Sequence, residues 1–490
     1  MNSRMAHALR HGLVAPESIG SDGENPRVSA VSRFDDDVWD FSNEDGNPAR
    51  ADRKICWSFR TSQGTLFTDP QFQSLLIGFK QLIYALRWHP IDSAPFGVSA
   101  LCSLFRLGKL FVDHLLAYPM PVLRFKDVLP HHCEDYIEEV LNCGLSASYK
   151  YHRINILQKL FLYRQVMKDG LVIEPLKGES AHKMAGYTRA SELESQTQII
   201  PDEILTPLVR AALEYVDRFA DYLLDACEGV EDIRERQRWF GVWARRYVHK
   251  HASAAYGLDG SKFENGLRSL RHLNQELCYL QTACFVLIAF MTGMRISELL
   301  ALREGCCEIE TEPGHADLVW LRSRVFKMQG VPNGRSAKWL GGPICARAVR
   351  VLERLGQRVW LRVGISSLWM PIPSDRRPRP KRPVWARTMR VRLNHVVKML
   401  GLNDSSGRPF HIHPHMFHRT FARHVVRYDT TNLLALKEHF KHISLSMTDY
   451  YVGSDLELWT LMMEEEEKLL LRVSTRPCGR TAWRGLAASG

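Results

Sequence analysis

His411 to Tyr451 reads HIHPHMFHRTFARHVVRYDTTNLLALKEHFKHISLSMTDYY. Apolar residues recur in it at helical spacing, first Phe417, Phe421 and Val425, then Leu433, Leu434 and Leu436. Between them lie histidines, arginines and two adjacent tyrosines. The pattern is a packed scaffold that carries a polar site. His415 opens a segment that ends in Thr420-Phe421-Ala422, His442 follows, and Tyr451 lies nine residues beyond His442. Far upstream, TGMRISELLAL at 292–302 places Arg295 in a Gly-x-Arg-x-x-Glu-Leu arrangement.

These four pieces, in this order and with this spacing, resemble the catalytic domain of the tyrosine recombinase (phage integrase) family. The resemblance covers about 68–470. It implies a mainly α chain with a small β-sheet, in which a helical core-binding domain precedes a mixed α/β integrase-type catalytic domain. The corresponding division is an amino-terminal arm or cap at 1–67, a core-binding domain at 68–180, and a linker at 181–200. A catalytic domain follows at 201–472, with an insertion near 230–265, and then a tail at 473–490.

Composition is compatible with such a chain. Over 490 residues, 65 Lys and Arg against 54 Asp and Glu leave a net charge of +11, which suits a polyanionic partner whose counterions are released on binding. Eleven cysteines occur without a Cys-x-x-Cys pair, so neither a zinc ribbon nor a redox motif is indicated, and free thiols are expected. The first residues lack the apolar core of a signal peptide. The apolar run near 285 is short and is closely followed by Arg295, which argues against a membrane span. A soluble, cytoplasmic protein is expected, and the resemblance adds a bacterial, nucleoid-associated setting.

In chain order, residues 1 to about 50 are polar and aperiodic and read as a mobile arm or a loosely attached cap. Their Asp35–Asp37 run ahead of Trp39 and Phe41 reads as a solvated tail, with docking on another surface as the alternative. Four segments between about 68 and 180 carry i, i+3, i+4 apolar spacing and predict four helices. The polar stretch from 178 to 200 reads as a linker. A new helix follows, beginning near Asp202 and ending near Gly229, with an insertion after it. A further helix is predicted over about 266–290. DLVWLRSRVFKM (317–328) and SAKWLGGPIC (336–345) predict two strands around a Pro-Asn-Gly turn. A helix through 346–363 comes next. Residues 371–400 then hold nine Lys and Arg against one acid, Asp375, together with Trp385, which favours phosphate contact by Arg376, Arg377, Arg379, Lys381, Arg382 and Arg387. Beyond Tyr451, the segment with the Glu464–Glu467 run reads as a tail helix, packed on its own chain or on a neighbouring protomer.

The chemistry that the resemblance implies is strand cleavage without hydrolysis. It needs a nucleophile that conserves the bond, cations for the phosphorane-like transition state, and a proton for the departing 5′ oxygen. Tyr451 takes the first role, with its neighbour Tyr450 as the alternative. Arg295 takes the second, because a planar guanidinium grips two phosphate oxygens; the alternative is a structural ion pair with Glu298. His415 and His442 position the phosphate and assist proton transfer. Lys327 is the acid, with Lys338 as the alternative.

One departure stands out. The family pattern wants an arginine three residues after His415, and this chain has His418 there, with Arg419 next to it. Arg419 reaches the same helix face, so either residue is a candidate for the missing role. Losing one transition-state donor costs about 3–4 kcal/mol. The crowding of His411, His413, His415 and His418 also invites a metal reading, but no carboxylate or cysteine stands beside them, and neither metal nor cofactor is assigned.

The expected partner is double-stranded DNA, and the expected assembly a homotetramer on paired sites, with partner recombinases an option. The setting is a mobile genetic element. Two rival readings remain, an integrase-like accessory DNA-binding protein without chemistry and a type IB topoisomerase-like enzyme.

Overall fold

The computed structural model describes residues 25–44, 46–49, 53–91, 95–188, 197–236, 244, 246–248, 266–311, 318–326, 334–372, 382–428 and 439–440. The chain divides into two compact units. One comprises Met1–Gln196 with Arg324–Ser336, the other Thr197–Ser323 with Ala337–Gly490.

The first unit opens with two short strands, β1 (Val38–Asp40) and β2 (Lys54–Cys56), paired antiparallel with Trp39 opposite Ile55. Alternation turns Trp39 and Ile55 into the core and sends Asp40 and Lys54 outward, where they form an ion pair at 2.6 Å. Trp57 lies edge-on to Trp39 at 4.9 Å, to Phe79 at 5.4 Å and to Phe105 at 5.0 Å. These rings join the amino-terminal strands to helices α1 (Gln73–Trp88) and α2 (Val98–Leu116).

Of the two readings of the amino-terminal stretch, arm or cap, the described part packs as a cap, and the solvated tail expected at Asp35–Phe41 is corrected. Trp39 and Phe41 are fully buried, and large aromatic rings contribute too much apolar area to remain a solvated tail. The Asp35–Asp37 run docks through its backbone: buried Lys80 on α1 donates to the carbonyls of Phe34 at 2.9 Å and Asp36 at 3.1 Å. Burial lowers the Lys80 pKa, opposed by the three nearby aspartates.

Helices α3 (Pro130–Asn142) and α4 (Ala147–Leu162) complete the four expected from sequence. Proline at the first position opens α3, and the Ser146 hydroxyl accepts from the Tyr149 amide at the start of α4. Gly108 lets α1 and α2 approach closely, since a Cβ there would lie 2.4 Å from Cζ of Phe79. Asp169 closes the unit by accepting from the amides of Phe125 and Lys126 and from the Ser74 hydroxyl. A one-turn helix, α5 (Ala181–Met184), follows.

In the second unit, α6 (Asp202–Glu214) passes through a widened turn at Tyr215–Phe219 into α7 (Ala220–Arg236). The expected stop at Gly229 does not occur: α7 continues to Arg236. Gly229 is small because Tyr247 crosses it, and a Cβ would lie 2.1 Å from the Tyr247 ring. Most of the predicted insertion lies outside the described residues.

The unit is built around α8 (Leu270–Thr292), which touches α6, α7 and four later helices. It is longer than the apolar run read from sequence, and its length and hydropathy meet those of a membrane span. However, 72% of its most apolar window is buried inside the protein, so core packing accounts for the composition. After α8 come α9 (Ile296–Leu300) and a sheet of order β3 (Cys307–Glu310), β4 (Leu318–Val325), β5 (Arg335–Gly341). Strands β4 and β5 match the two predicted. β3 was not expected, and it pairs antiparallel to β4 with Cys307 opposite Leu321. Helices α10 (Pro343–Val363), α11 (Ala386–Met399) and α12 (His415–Tyr428) complete the described fold. The ten cysteines among the described residues are free, and burial pushes the thiols of Cys133, Cys306 and Cys345 up to about 12.

Candidate functional site

Helix α8 ends at Gly293, whose φ of 60° is a left-handed conformation that glycine adopts without strain. A Cβ at Gly293 would also meet the Phe421 ring of α12 at 2.6 Å. The turn therefore needs glycine twice over, and it delivers Arg295 as the residue preceding α9. Glu298 reaches back to accept from the Arg295 amide at 2.7 Å, the usual reciprocal bond at a helix start. The same carboxylate takes the Arg295 guanidinium: Nη1 lies 3.0 Å from Oε1. Nη1 also donates to the Phe440 carbonyl at 3.1 Å. The ion pair weighed as the structural alternative for Arg295 thus exists. Both partners are buried, with Arg295 only 5% exposed.

Helix α12 brings its histidines to the same place. The rings of His415 and His418 stack at 5.4 Å, and His418 lies 3.9 Å from the Phe440 ring. Fully buried His418 turns Nδ1 to the Gly293 carbonyl. His439 turns Nε2 to the Thr292 carbonyl at 2.6 Å and stacks on Phe421 at 5.2 Å. Arg295, Glu298, His415, His418, His439 and Phe440 therefore form one cluster at the end of α8. His439 was not singled out from the sequence. Its only signal there is its position three residues before His442.

Arg419 faces other work, since its Nη1 donates to the Thr197 carbonyl at 2.6 Å. Beside it, the Thr420 hydroxyl accepts from the Ile200 amide at 2.9 Å. Together they tether the chain entering the second unit. Lys338 on β5 is also engaged, 2.5 Å from Glu308. Lys327, His442, Tyr450 and Tyr451 lie outside the described residues, as do Arg376, Arg377, Arg379 and Lys381.

Of the basic stretch, Arg382 and Arg387 are described and exposed, and Trp385, at the start of α11, is 47% exposed. Asn394 of α11 binds the backbone of Ile412 in both directions, at 2.8 and 2.9 Å, which draws His411 and His413 alongside the helix. Burial, with Arg390 and His411 nearby, holds the His413 imidazole below its usual pKa.

A helical unit with a three-stranded sheet and a buried arginine–histidine cluster is the class that the fold and the site define. Residues 267–457 match the family model described as the phage integrase family. It is similar to the tyrosine recombinase XerC of Bacillus licheniformis, with 29% identity over 175 residues, 35% of this chain. That match spans 50% of the relative's own length. Among solved structures, XerH site-specific recombinase bound to palindromic difH substrate has a TM-score of 0.41 at 15% identity, covering 83% of this chain and 97% of that one. The Tn1549 transposon integrase in complex with a circular intermediate DNA has a TM-score of 0.38 at 13% identity, covering 76% and 94%.

Proposed function

We propose that this chain is a DNA recombinase that breaks and rejoins strands through a 3′-phosphotyrosyl link on Tyr451, releases a 5′ hydroxyl, and serves a mobile genetic element. The observation that carries the reading is the convergence of Arg295 with His415 at the end of α8. These residues come from segments more than a hundred positions apart, and the family match spans both. Arg295 holds the scissile phosphate, His415 and His442 orient it and move protons, and Lys327 protonates the leaving oxygen. No metal or nucleotide takes part. Double-stranded DNA is the substrate, bound with help from Arg382, Arg387 and the basic segment before them, and the working assembly is a tetramer on two sites.

The two candidates for the missing second arginine both hold backbone carbonyls, His418 that of Gly293 and Arg419 that of Thr197. This favours an enzyme slower than one with the full set, and it keeps the accessory-protein reading as the rival. The test is a nicked suicide duplex built from the DNA flanking the gene. A covalent protein–DNA adduct that disappears in Tyr451→Phe is expected. Specific binding without any adduct would leave the accessory reading, and relaxation of plasmids lacking the site would favour the topoisomerase.

A further inference from the structure

The last carbonyls of an α-helix have no partner within the helix. At the end of α8, two successive ones face imidazoles: Thr292 faces Nε2 of His439, and Gly293 faces Nδ1 of His418. A carbonyl oxygen only accepts, so each of these ring nitrogens carries the proton, and a neutral ring suffices. Two residues after Gly293 stands Arg295, whose guanidinium donates to the carbonyl of Phe440, the residue next to His439. Phe440 in turn packs on the His418 ring. The contacts therefore close a loop that runs from the end of α8 through His418 and Phe440 to Arg295. The ionisable groups around His418 are Arg295, Glu298, His415 and His439, with Arg419 next in sequence.

We infer that His418 and His439 are positioning residues that hold the end of α8 by its carbonyls and thereby fix where Arg295 points. This rests on the reading of Arg295 as the phosphate-holding residue. On this account His418 does not stand in for the missing arginine as a phosphate donor. It has taken a different task at that position, one that a longer guanidinium would not fulfil.

The variants separate the two roles. Asparagine places an amide N–H near the position of Nδ1, so His418→Asn keeps the bond to Gly293, whereas His418→Ala and His418→Arg lose it. Glutamine does the same for Nε2 of His439. Single-turnover cleavage of the nicked duplex is measured at saturating DNA, together with apparent DNA affinity. Amide hydrogen exchange is followed over residues 288–298.

His418→Asn and His439→Gln are expected to stay within about threefold of the unmodified protein. His418→Ala and His418→Arg should lose about ten- to a hundredfold in rate at unchanged DNA affinity, the cost of an unsatisfied buried carbonyl. They should also exchange faster over 288–298. If His418→Ala does not fold, His418→Asn against His418→Arg decides. A rate for His418→Arg at or above that of the unmodified protein would overturn the inference, as would equal rates for His418→Asn and His418→Ala. If the unmodified protein gives no Tyr451-dependent adduct, the recombinase reading fails by itself. Exchange then judges the clamp alone, and identical exchange in all variants sinks it.

Discussion

Helices α10 and α11 are both rich in arginine, and they use it in opposite ways. Along α10, Arg347, Arg354, Arg358 and Arg362 face a row of acids on α7 and the turn before it. Arg354 reaches Asp221 at 3.1 Å and Glu228 at 2.6 Å and also pairs with Asp225. Arg347 pairs with Asp217 at 2.9 Å, Arg358 with Asp232, and Arg362 with Glu231 at 2.5 Å. On α11, Arg392 donates to the Gln281 side chain at 2.5 Å. Among the described residues, no carboxylate pairs with Arg387, Arg390 or Lys398. The lesson is that counting cations does not locate a binding face. Arginines matched one for one by carboxylates on the neighbouring helix add little net field toward a polyanion, and the surplus charge lies where such acids are missing.

The contrast can be broken most directly at α11. Reversing both charges in Arg387→Glu/Arg390→Glu should weaken duplex binding at least tenfold near 0.15 M salt. It should also make the salt dependence shallower by about two phosphates' worth, while the thermal midpoint stays within about 2 °C. Unchanged binding in a salt titration would remove α11 from the DNA face. Arg354→Glu should do the reverse. It sets a fourth carboxylate among Asp221, Asp225 and Glu228, and since this group is partly exposed the stability loss is only about 1–2 kcal/mol by denaturant melting, with binding preserved. A binding defect of similar size would mean that α10 also faces DNA.

The smallest effect is at His413. Its folded pKa is lowered by burial and then by Arg390 and His411, so the unfolded chain takes up the proton first. Stability from this ring is present above about pH 6.5 and is lost as pH falls from there through the lower folded value. Replacing Arg390 with Gln should raise the folded pKa and narrow that loss. Proton NMR of the imidazole follows it, and no movement would show that Arg390 has no influence.

What could be read from the sequence followed the length of each pattern. The helices α1 to α4 repeat their apolar spacing over several turns and were legible, as were β4 and β5 with their alternation. Strands β1, β2 and β3 hold three or four residues each, too few for alternation to register, and Trp39 acquires meaning only once Phe79 and Phe105 are beside it. The rows of Asp221, Asp225 and Glu228 and of Arg354, Arg358 and Arg362 are each visible at helical spacing. Sequence does not say which helices are neighbours, so their pairing was not visible. Within the site, Arg295 and His415 are marked by motif, and in the structure they are linked through Phe440 and His418. His439 was missed because its partner is a backbone carbonyl, and a carbonyl leaves no letter in the sequence. For the same reason the engagement of His418 and Arg419 could not be foreseen.

The ring cluster of the first unit has a consequence for how the chain is made. Trp39 and Trp57 emerge from the ribosome before Phe79 and Phe105, and at roughly 5–20 residues per second the gap between Trp57 and Phe105 lasts about 2–10 seconds. For that interval two indoles have nowhere to go. The strands that begin the described chain can therefore complete their packing only after α2 has been made, and the nascent segment is a natural client for any chaperone that recognises bare aromatic surface.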